Sequence, residues 1–413
     1  MGKMGKRVSK VFTRRQFVKS SSLAIAAAAT GISGVFSIAK GATPRIKVGI
    51  VGPYSGTSVD DAKRVEAGIR YAFARSKYAD RVEFFIEDDR ENPSVGVEKA
   101  QKLVEKVGVD MLEGPIMAHV ALAVTEYCKS KKKLCLLAQG GNVLIAGKNC
   151  NRYTFMVGHT TWSTSAPGAQ YCFEKFGKKV YLIGSDFSTG LDICRFMGNE
   201  FKKLNGSIVG EGHTPIGTSE FATYIGQIRD LKPDLVTGFL VPADCVNFTK
   251  QFDSFGLRKA GIPIVMALGR YGAMPLDVYA DSVLGHYDLW HYSPWLTTPV
   301  NVEFKKDFAK YNPGYPIIDS VILGYDVGTC MIYGLDQAGG EPETEKMVDA
   351  IAKRDWVGPR GRLSFSPNHV IIHPLYLRQA QRVEGETRMI VVKELGRFAT
   401  PGEATGPGGE CKM

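Results

Sequence analysis

Short apolar runs rich in β-branched residues alternate with amphipathic stretches along most of this chain, and few folds accept that alternation. Arg45–Val51 reads as a buried strand stopped at Gly52-Pro53. Ala62–Lys77 reads as a helix with Val65, Ile69, Ala72 and Phe73 on one face. Strand Val82–Glu87, a turn through Asp88–Pro93 and helix Ser94–Lys106 repeat the unit. Val109–Glu113, a helix from Val120 and strand Leu134–Ala138 extend it. The pattern then restarts: Lys179–Gly184, Leu191–Leu204, Ser207–Gly212, Phe221–Asp230, Asp234–Leu240, Asp244–Phe255 and Pro263–Ala267 alternate strand and helix. Helices at Asn301–Tyr311 and Asp319–Ala338 follow, then short antiparallel strands at Arg362–Phe365 and Pro374–Arg382. Strand–helix units of this length make parallel sheets covered on both faces by right-handed crossovers. Two successive series predict two α/β lobes rather than one very wide sheet.

The length of 413 residues agrees with two domains. The formal charge of +10 suggests a polyanion partner, but eight of the basic residues (Lys3, Lys6, Arg7, Lys10, Arg14, Arg15, Lys19 and Lys40) fall in the first 42 residues, which carry no acid. Without them the charge falls to +2, and the remaining basic run, Lys131-Lys132-Lys133, has the character of a solvated helix end. The body of the chain is no trap for nucleic acid.

Residues 1–42 read as a signal peptide, with a basic start, the mild apolar run Leu23–Ala29 and small residues near Ala39–Ala42. Thr13-Arg14-Arg15-Gln16-Phe17-Val18-Lys19 resembles the twin-arginine (Tat) export signal. The apolar run is too short for a permanent span. These features predict a mature protein that is soluble in the periplasm or another extracytoplasmic space. The eight cysteines are free to pair there, in more ways than sequence can choose among. No Cys/His spacing is that of a zinc site, so neither metal nor cofactor is expected. Gly49, Gly52 and Gly56 do not form a dinucleotide or P-loop motif. Ser185, Asp186 and His119 lack a nucleophile elbow, so no enzyme is expected.

The stretch Val48–Gly56 with Gly68 resembles the opening of the branched-chain amino acid (Leu/Ile/Val) binding protein family of ABC importers. Glu87-Asp88-Asp89 through Asn92-Pro93, Val109–Pro115, Arg152–Phe155, Ile183–Phe187 with Gly190, Phe252 with Gly256-Leu257, and Gly324-Tyr325-Asp326 resemble later segments of that family, in order. The resemblance implies a type 1 periplasmic binding protein fold: two Rossmann-like lobes joined by three hinge crossings, placed near Phe155–His159, Tyr287–Leu289 and Trp356–Gly358. Lobe 1 would hold residues 43–157 and 289–357, lobe 2 residues 158–288 and 358–399, and residues 400–413 would be a flexible tail. Strand-end loops of both lobes would converge on one cleft. The implied partners are a small-molecule ligand and a membrane permease, with the protein itself a monomer.

In family members that bind amino acids, a hydroxyl pair and backbone amides hold the α-carboxylate, and an acid holds the ammonium. The hydroxyl positions match Met117 and Ala118 here, with His119 the polar neighbour. The amide loop matches Gln139, Gly140 and Gly141. Where the acid is expected the chain reads Leu268-Gly269-Arg270-Tyr271. Arg270 facing an ammonium is unfavourable, whereas a carboxylate gains a bidentate pair there. The alternative is that Arg270 turns to solvent or pairs with Asp277. Tyr54, Trp162, Phe187, Thr189 and Tyr292 complete the expected cleft, with Trp290 and Trp295 nearby, and the rings serve either an aromatic ligand body or ordinary packing. The expected ligand is an organic acid, aromatic or hydrophobic. An amino acid, an amide or a sensory role are the competing readings.

Overall fold

The computed structural model describes residues 45–402 and 409–413, so the expected export signal, and residues 403–408 of the tail, lie outside the described residues. Five parallel strands make the first sheet: β1 (Ile46–Gly52), β2 (Val82–Asp88), β3 (Met111–Glu113), β4 (Cys135–Leu137) and β5 (Thr154–Met156), in spatial order β2-β1-β3-β4-β5. Their crossovers are α1 (Val59–Ala74), α2 (Pro93–Gln101, continued by a π-helical turn Lys102–Val107), α3 (Ala118–Ser130) and α4 (Val143–Ala146). Ile46, Val48 and Ile50 point into one buried cluster and Val51 into another on the opposite face, so β1 is apolar throughout.

The second half begins with α5 (Gly168–Phe176), β6 (Lys179–Ser185), α6 (Ser188–Lys203), β7 (Ser207–Thr214), α7 (Ala222–Leu231), β8 (Leu235–Phe239), α8 (Pro242–Ser254), β9 (Ile264–Met266) and β10 (Tyr287–Trp290). The chain then returns to the first half as α9 (Pro299–Tyr311), α10 (Asp319–Gln337) and α11 (Thr344–Ala352). Leu323, Val327, Met331, Leu335, Met347, Val348 and Ile351 from α10 and α11 bury in the same cluster as β1. Helices α1 and α10 meet at Gly68 and Gly324. A Cβ on Gly68 would lie 2.1 Å from the Val321 carbonyl, and one on Gly324 would lie 2.0 Å from that of Val65. Only glycine permits this approach.

Strands β11 (Asp355–Gly358), β12 (Gly361–Phe365), β13 (Ile371–Val383) and β14 (Glu386–Phe398) complete the chain antiparallel to one another. The second sheet runs β11-β12-β13-β10-β9-β8-β6-β7, with β14 paired to β13. The closing hairpin is longer than the strand expected over Pro374–Arg382. Charges at Arg388, Lys393, Glu394 and Arg397 hide the second arm in the sequence, and the β13–β14 register shifts between Leu375 and Tyr376 and again between Leu377 and Arg378.

The hinge is held by buried polar groups. Arg360 is fully buried; its Nε donates to Asp326 Oδ2 at 2.7 Å, and its two terminal nitrogens donate to the carbonyls of Gly158 (2.8 Å) and Val157 (2.5 Å). The tail, expected to be flexible from Thr400, is instead anchored where it is described. Thr400 is buried with its hydroxyl 2.8 Å from that of Thr160, and Cys411 forms a disulfide with Cys150. The remaining six cysteines are buried thiols.

Candidate functional site

A cavity of about 460 Å³ opens where the two halves meet. Its first-half wall is Asp61 and Arg64 of α1, Gln139 after β4, and Ile318, Asp319 and Ser320 at the start of α10. Its second-half wall is Pro242 and the segment from Leu268 to Leu276. His159, Trp290, Tyr292 and Trp295 from the crossings, with Arg378 and Met389 of the hairpin, close the back and rim.

The turn after β9 aims Arg270 into this space. Leu268 and Gly269 are both left-handed (φ +56° and +58°), which ends the strand abruptly before the 3₁₀ turn Arg270–Gly272. A Cβ on Gly269 would lie 2.6 Å from the Trp290 ring, so glycine is what lets the indole lie flat on this turn. Trp290 and Tyr292 are buried, and the Tyr292 hydroxyl donates to Asn301 Oδ1 at 3.0 Å. The His159 ring lies edge-on to Trp290 at 4.8 Å, and burial, reinforced by the Arg360 charge, pushes its pKa down to about 3. It is a neutral ring at pH 7.

Five charges line the cavity, and most are matched. Arg378 makes a bidentate pair with Asp288 (2.8 and 2.6 Å) and donates to the Tyr292 carbonyl at 2.9 Å. Arg64 lies 3.4 Å from Asp61, whose Oδ1 also accepts from Ser320 Oγ at 2.7 Å; Ser320 Oγ in turn accepts from Gln139 Nε2 at 3.2 Å. Arg270 is different. It has no carboxylate within ion-pair distance among the described residues, its Nε is buried without a hydrogen-bond partner, and its guanidinium lies 4.8 Å over the Phe239 ring. Burial lowers its pKa, opposed by neighbouring groups that include Asp319 and Asp288. It neither pairs with Asp277 nor turns wholly to solvent. Asp319 is its counterpart: burial and the nearby Asp61 raise its pKa, and the hydrogen bonds it accepts come from backbone amides at the start of α10.

Of the expected site residues, Gln139, Arg270 and Tyr292 line the cavity. Gly141 backs onto the His159 ring, which a Cβ there would meet at 3.7 Å, and Phe187 packs on Phe239 (5.9 Å between rings), one layer behind Arg270. The others stand away from it. The Tyr54 hydroxyl donates to Glu66 at 2.9 Å, Met117 Sδ accepts from Ser58, and His119 meets the Glu91 carbonyl at 3.1 Å. Ala118 starts α3, Gly140 faces Ala121 and the Pro115 carbonyl, Trp162 packs on Val143, Ala166 and Phe196, and Thr189 lies in the first turn of α6. Asp61, Arg64, His159, Asp319 and Arg378 were missed; a start-of-helix acid at Asp319 was the one local signal for them. Away from the cavity, Cys194, Glu211 and His213 bring possible metal-ligand atoms within 4.8 Å of one another, a grouping that sequence spacing did not reveal. His213 there already pairs with Glu211 at 3.0 Å.

Two α/β halves joined by several crossings, with an aromatic-walled cavity at their junction, define a hinged protein that holds a small solute. The chain belongs to the periplasmic binding protein family, whose profile matches residues 45–386. A Leu/Ile/Val-binding protein homologue from Brucella suis is 30% identical over 381 residues, which cover 89% of this chain and 96% of that protein. An ABC transporter substrate-binding protein from Sphaerobacter thermophilus superposes with a TM-score of 0.81 at 23% identity, covering 86% of this chain and 99% of its own. A solute-binding protein of an ABC transporter from Rhodopseudomonas palustris, in complex with 3,4-dihydroxybenzoic acid, superposes with a TM-score of 0.75 at 25% identity, covering 87% and 99%. The fold is thus the type 1 periplasmic binding protein fold. Among the described residues no helix is long and apolar enough to cross a membrane.

Proposed function

We propose that this protein is the soluble extracytoplasmic substrate-binding component of an ABC importer, and that its cleft captures an organic acid with an aromatic or hydrophobic body. One observation carries the ligand class: Arg270 presents an unpaired guanidinium to a cavity walled by Trp290, Tyr292 and the neutral His159. A carboxylate there gains charge-assisted hydrogen bonds, whereas an ammonium meets repulsion. The Rhodopseudomonas protein that binds 3,4-dihydroxybenzoic acid supports the same reading. The Brucella relative's name points to aliphatic amino acids, but the cation at Arg270 opposes that choice. The lobes close on the acid by hinge motion, and the closed form delivers it to a membrane permease. The protein acts as a monomer, with no cofactor and no catalysis.

Thermal shift with a panel of ligands tests the assignment. At a hundredfold excess over Kd a ligand adds about 2.7 kcal/mol to stability, an easily measured rise in melting temperature. Benzoate and hydroxybenzoates are expected to raise it, and leucine, isoleucine and valine to leave it unmoved. A rise with the amino acids and none with the acids would overturn the proposal.

A further inference from the structure

Beyond the carboxylate, the cavity holds a second unmatched charge. Asp319 lines it from the first half, across from Arg270 in the second, and the two do not form an ion pair. The other cavity charges are committed: Arg378 to Asp288, and Arg64 to Asp61, which also takes the Ser320 hydroxyl. An unpaired guanidinium on one wall and, on the other, a carboxylate that feels the Arg378 charge without an ion-pair contact and is hydrogen-bonded by its own helix amides leave a ligand to join them. Arg270 is costly without a partner, since a buried polar group left unsatisfied costs about 1–3 kcal/mol and a charged one more, while the Asp319 carboxylate keeps acceptor sites beyond its helix amides.

We infer that the cavity reads a hydrogen-bond donor at the end of the ligand remote from its carboxylate, and that Asp319 is the acceptor that selects it. The inference rests on the reading of Arg270 as the carboxylate site. The ligand class narrows to a compact acid with a hydroxyl or ammonium opposite the carboxylate, spanned by a ring that lies among Trp290, Tyr292 and His159. A phenol or an ammonium presents the same donor chemistry to Asp319 and differs only in charge. Apolar acids of the same shape leave Asp319 without a partner and bind more weakly, because a site built around a hydrogen bond rejects an analogue that lacks it.

Matched ligands test this on the full mature protein by calorimetry. 4-Hydroxybenzoate and 4-methylbenzoate have nearly the same shape and differ in the donor; 4-(aminomethyl)benzoate carries the ammonium. The donor-bearing acids are expected to bind at least about tenfold more tightly than the methyl analogue, about 1.4 kcal/mol. Whichever of the two is tighter identifies the donor's charge, and either supports the inference. In Asp319→Ala the preference collapses to within about twofold while 4-methylbenzoate keeps its affinity, which also shows that the variant is folded. Affinity for both donor-bearing acids no greater than for the methyl acid in the native protein would overturn the inference and leave the acid assignment standing, as would a preference that persists in Asp319→Ala. No binding of any carboxylate would overturn both.

Discussion

Replacing Arg270 with Met should separate the function of this residue from its cost. Met keeps a flexible apolar side chain of similar reach but removes the charge and the guanidinium that lies over Phe239. In the ligand-free protein Arg270 is partly buried, its Nε without a partner, and stacking on Phe239 returns only about 0.5–2 kcal/mol. The desolvation of a polar group without a partner costs about 1–3 kcal/mol. Removing it should stabilise the empty protein by roughly 1 kcal/mol, a rise of about 1–3 °C in a chain of this size. Binding moves the other way. A fork-to-carboxylate pair in this setting is worth about 2–4 kcal/mol, so affinity for an aromatic acid should fall by about 30- to 1000-fold. Melting curves of the empty protein and calorimetric titration of native and Arg270→Met forms give both quantities. Affinity within threefold of native, or an empty protein that loses stability, would refute the reasoning. Arg270→Lys keeps the charge without the planar fork and should fall between the two.

Other perturbations test the frame around the cavity. Gly269→Ala places a methyl into the Trp290 ring at a left-handed position, so it should cost about 1–3 kcal/mol and shift the indole emission; an unchanged melt and spectrum would contradict this close contact. Asp326→Asn leaves Arg360 buried without its counter-charge and should cost about 3–5 kcal/mol in urea unfolding, since Arg360 also binds the Val157 and Gly158 carbonyls. Reduction of Cys150–Cys411, or Cys411→Ser, frees the tail and lifts a cross-link spanning 261 residues, which should lower stability by up to about 2–5 kcal/mol; identical melts with and without reductant would count against the bridge. His159, His286 and His373 have pKa values pushed down to about 3 by burial, against about 6.5 when unfolded. The unfolded chain therefore binds more protons, and the stability these rings contribute is full above pH 6.5 and lost as pH falls from there toward 3. Asp89, raised to about 6 by burial, acts in the opposite sense, its contribution lost as pH rises through 6. The net expectation is a melting temperature that drops between pH 7 and pH 4, and a flat profile would contradict it.

The alternation of strand and helix was legible because each β/α unit satisfies its own periodicity locally. Helices expected at Asp244–Phe255 and Asp319–Ala338 appear at Pro242–Ser254 and Asp319–Gln337. The shortfalls arise where distance in sequence is large. Strand β14 was missed because its outward charges break the apolar rhythm, and Cys411 pairs with a residue more than two hundred positions away that no spacing rule selects. The cavity behaves in the same manner. Arg270 was visible because it follows a recognisable strand and stands where an acid was expected, and Gln139 because it follows β4. Asp61, Asp319 and Arg378 reach the same space from two helices and a hairpin, and only the α1–α10 contact at Gly68 and Gly324 brings the first two together. Met117 and Ala118 were placed by analogy with proteins that use hydroxyls there. Without hydroxyls that segment engages Ser58 and starts α3 instead.

Calorimetric titration of the protein with 4-hydroxybenzoate and with its neutral amide probes the carboxylate–Arg270 contact most directly, because the two compounds differ only at the group that meets the guanidinium. One acid bound per chain, with the amide at least a hundredfold weaker, is the expected result. Equal affinity for acid and amide would contradict it.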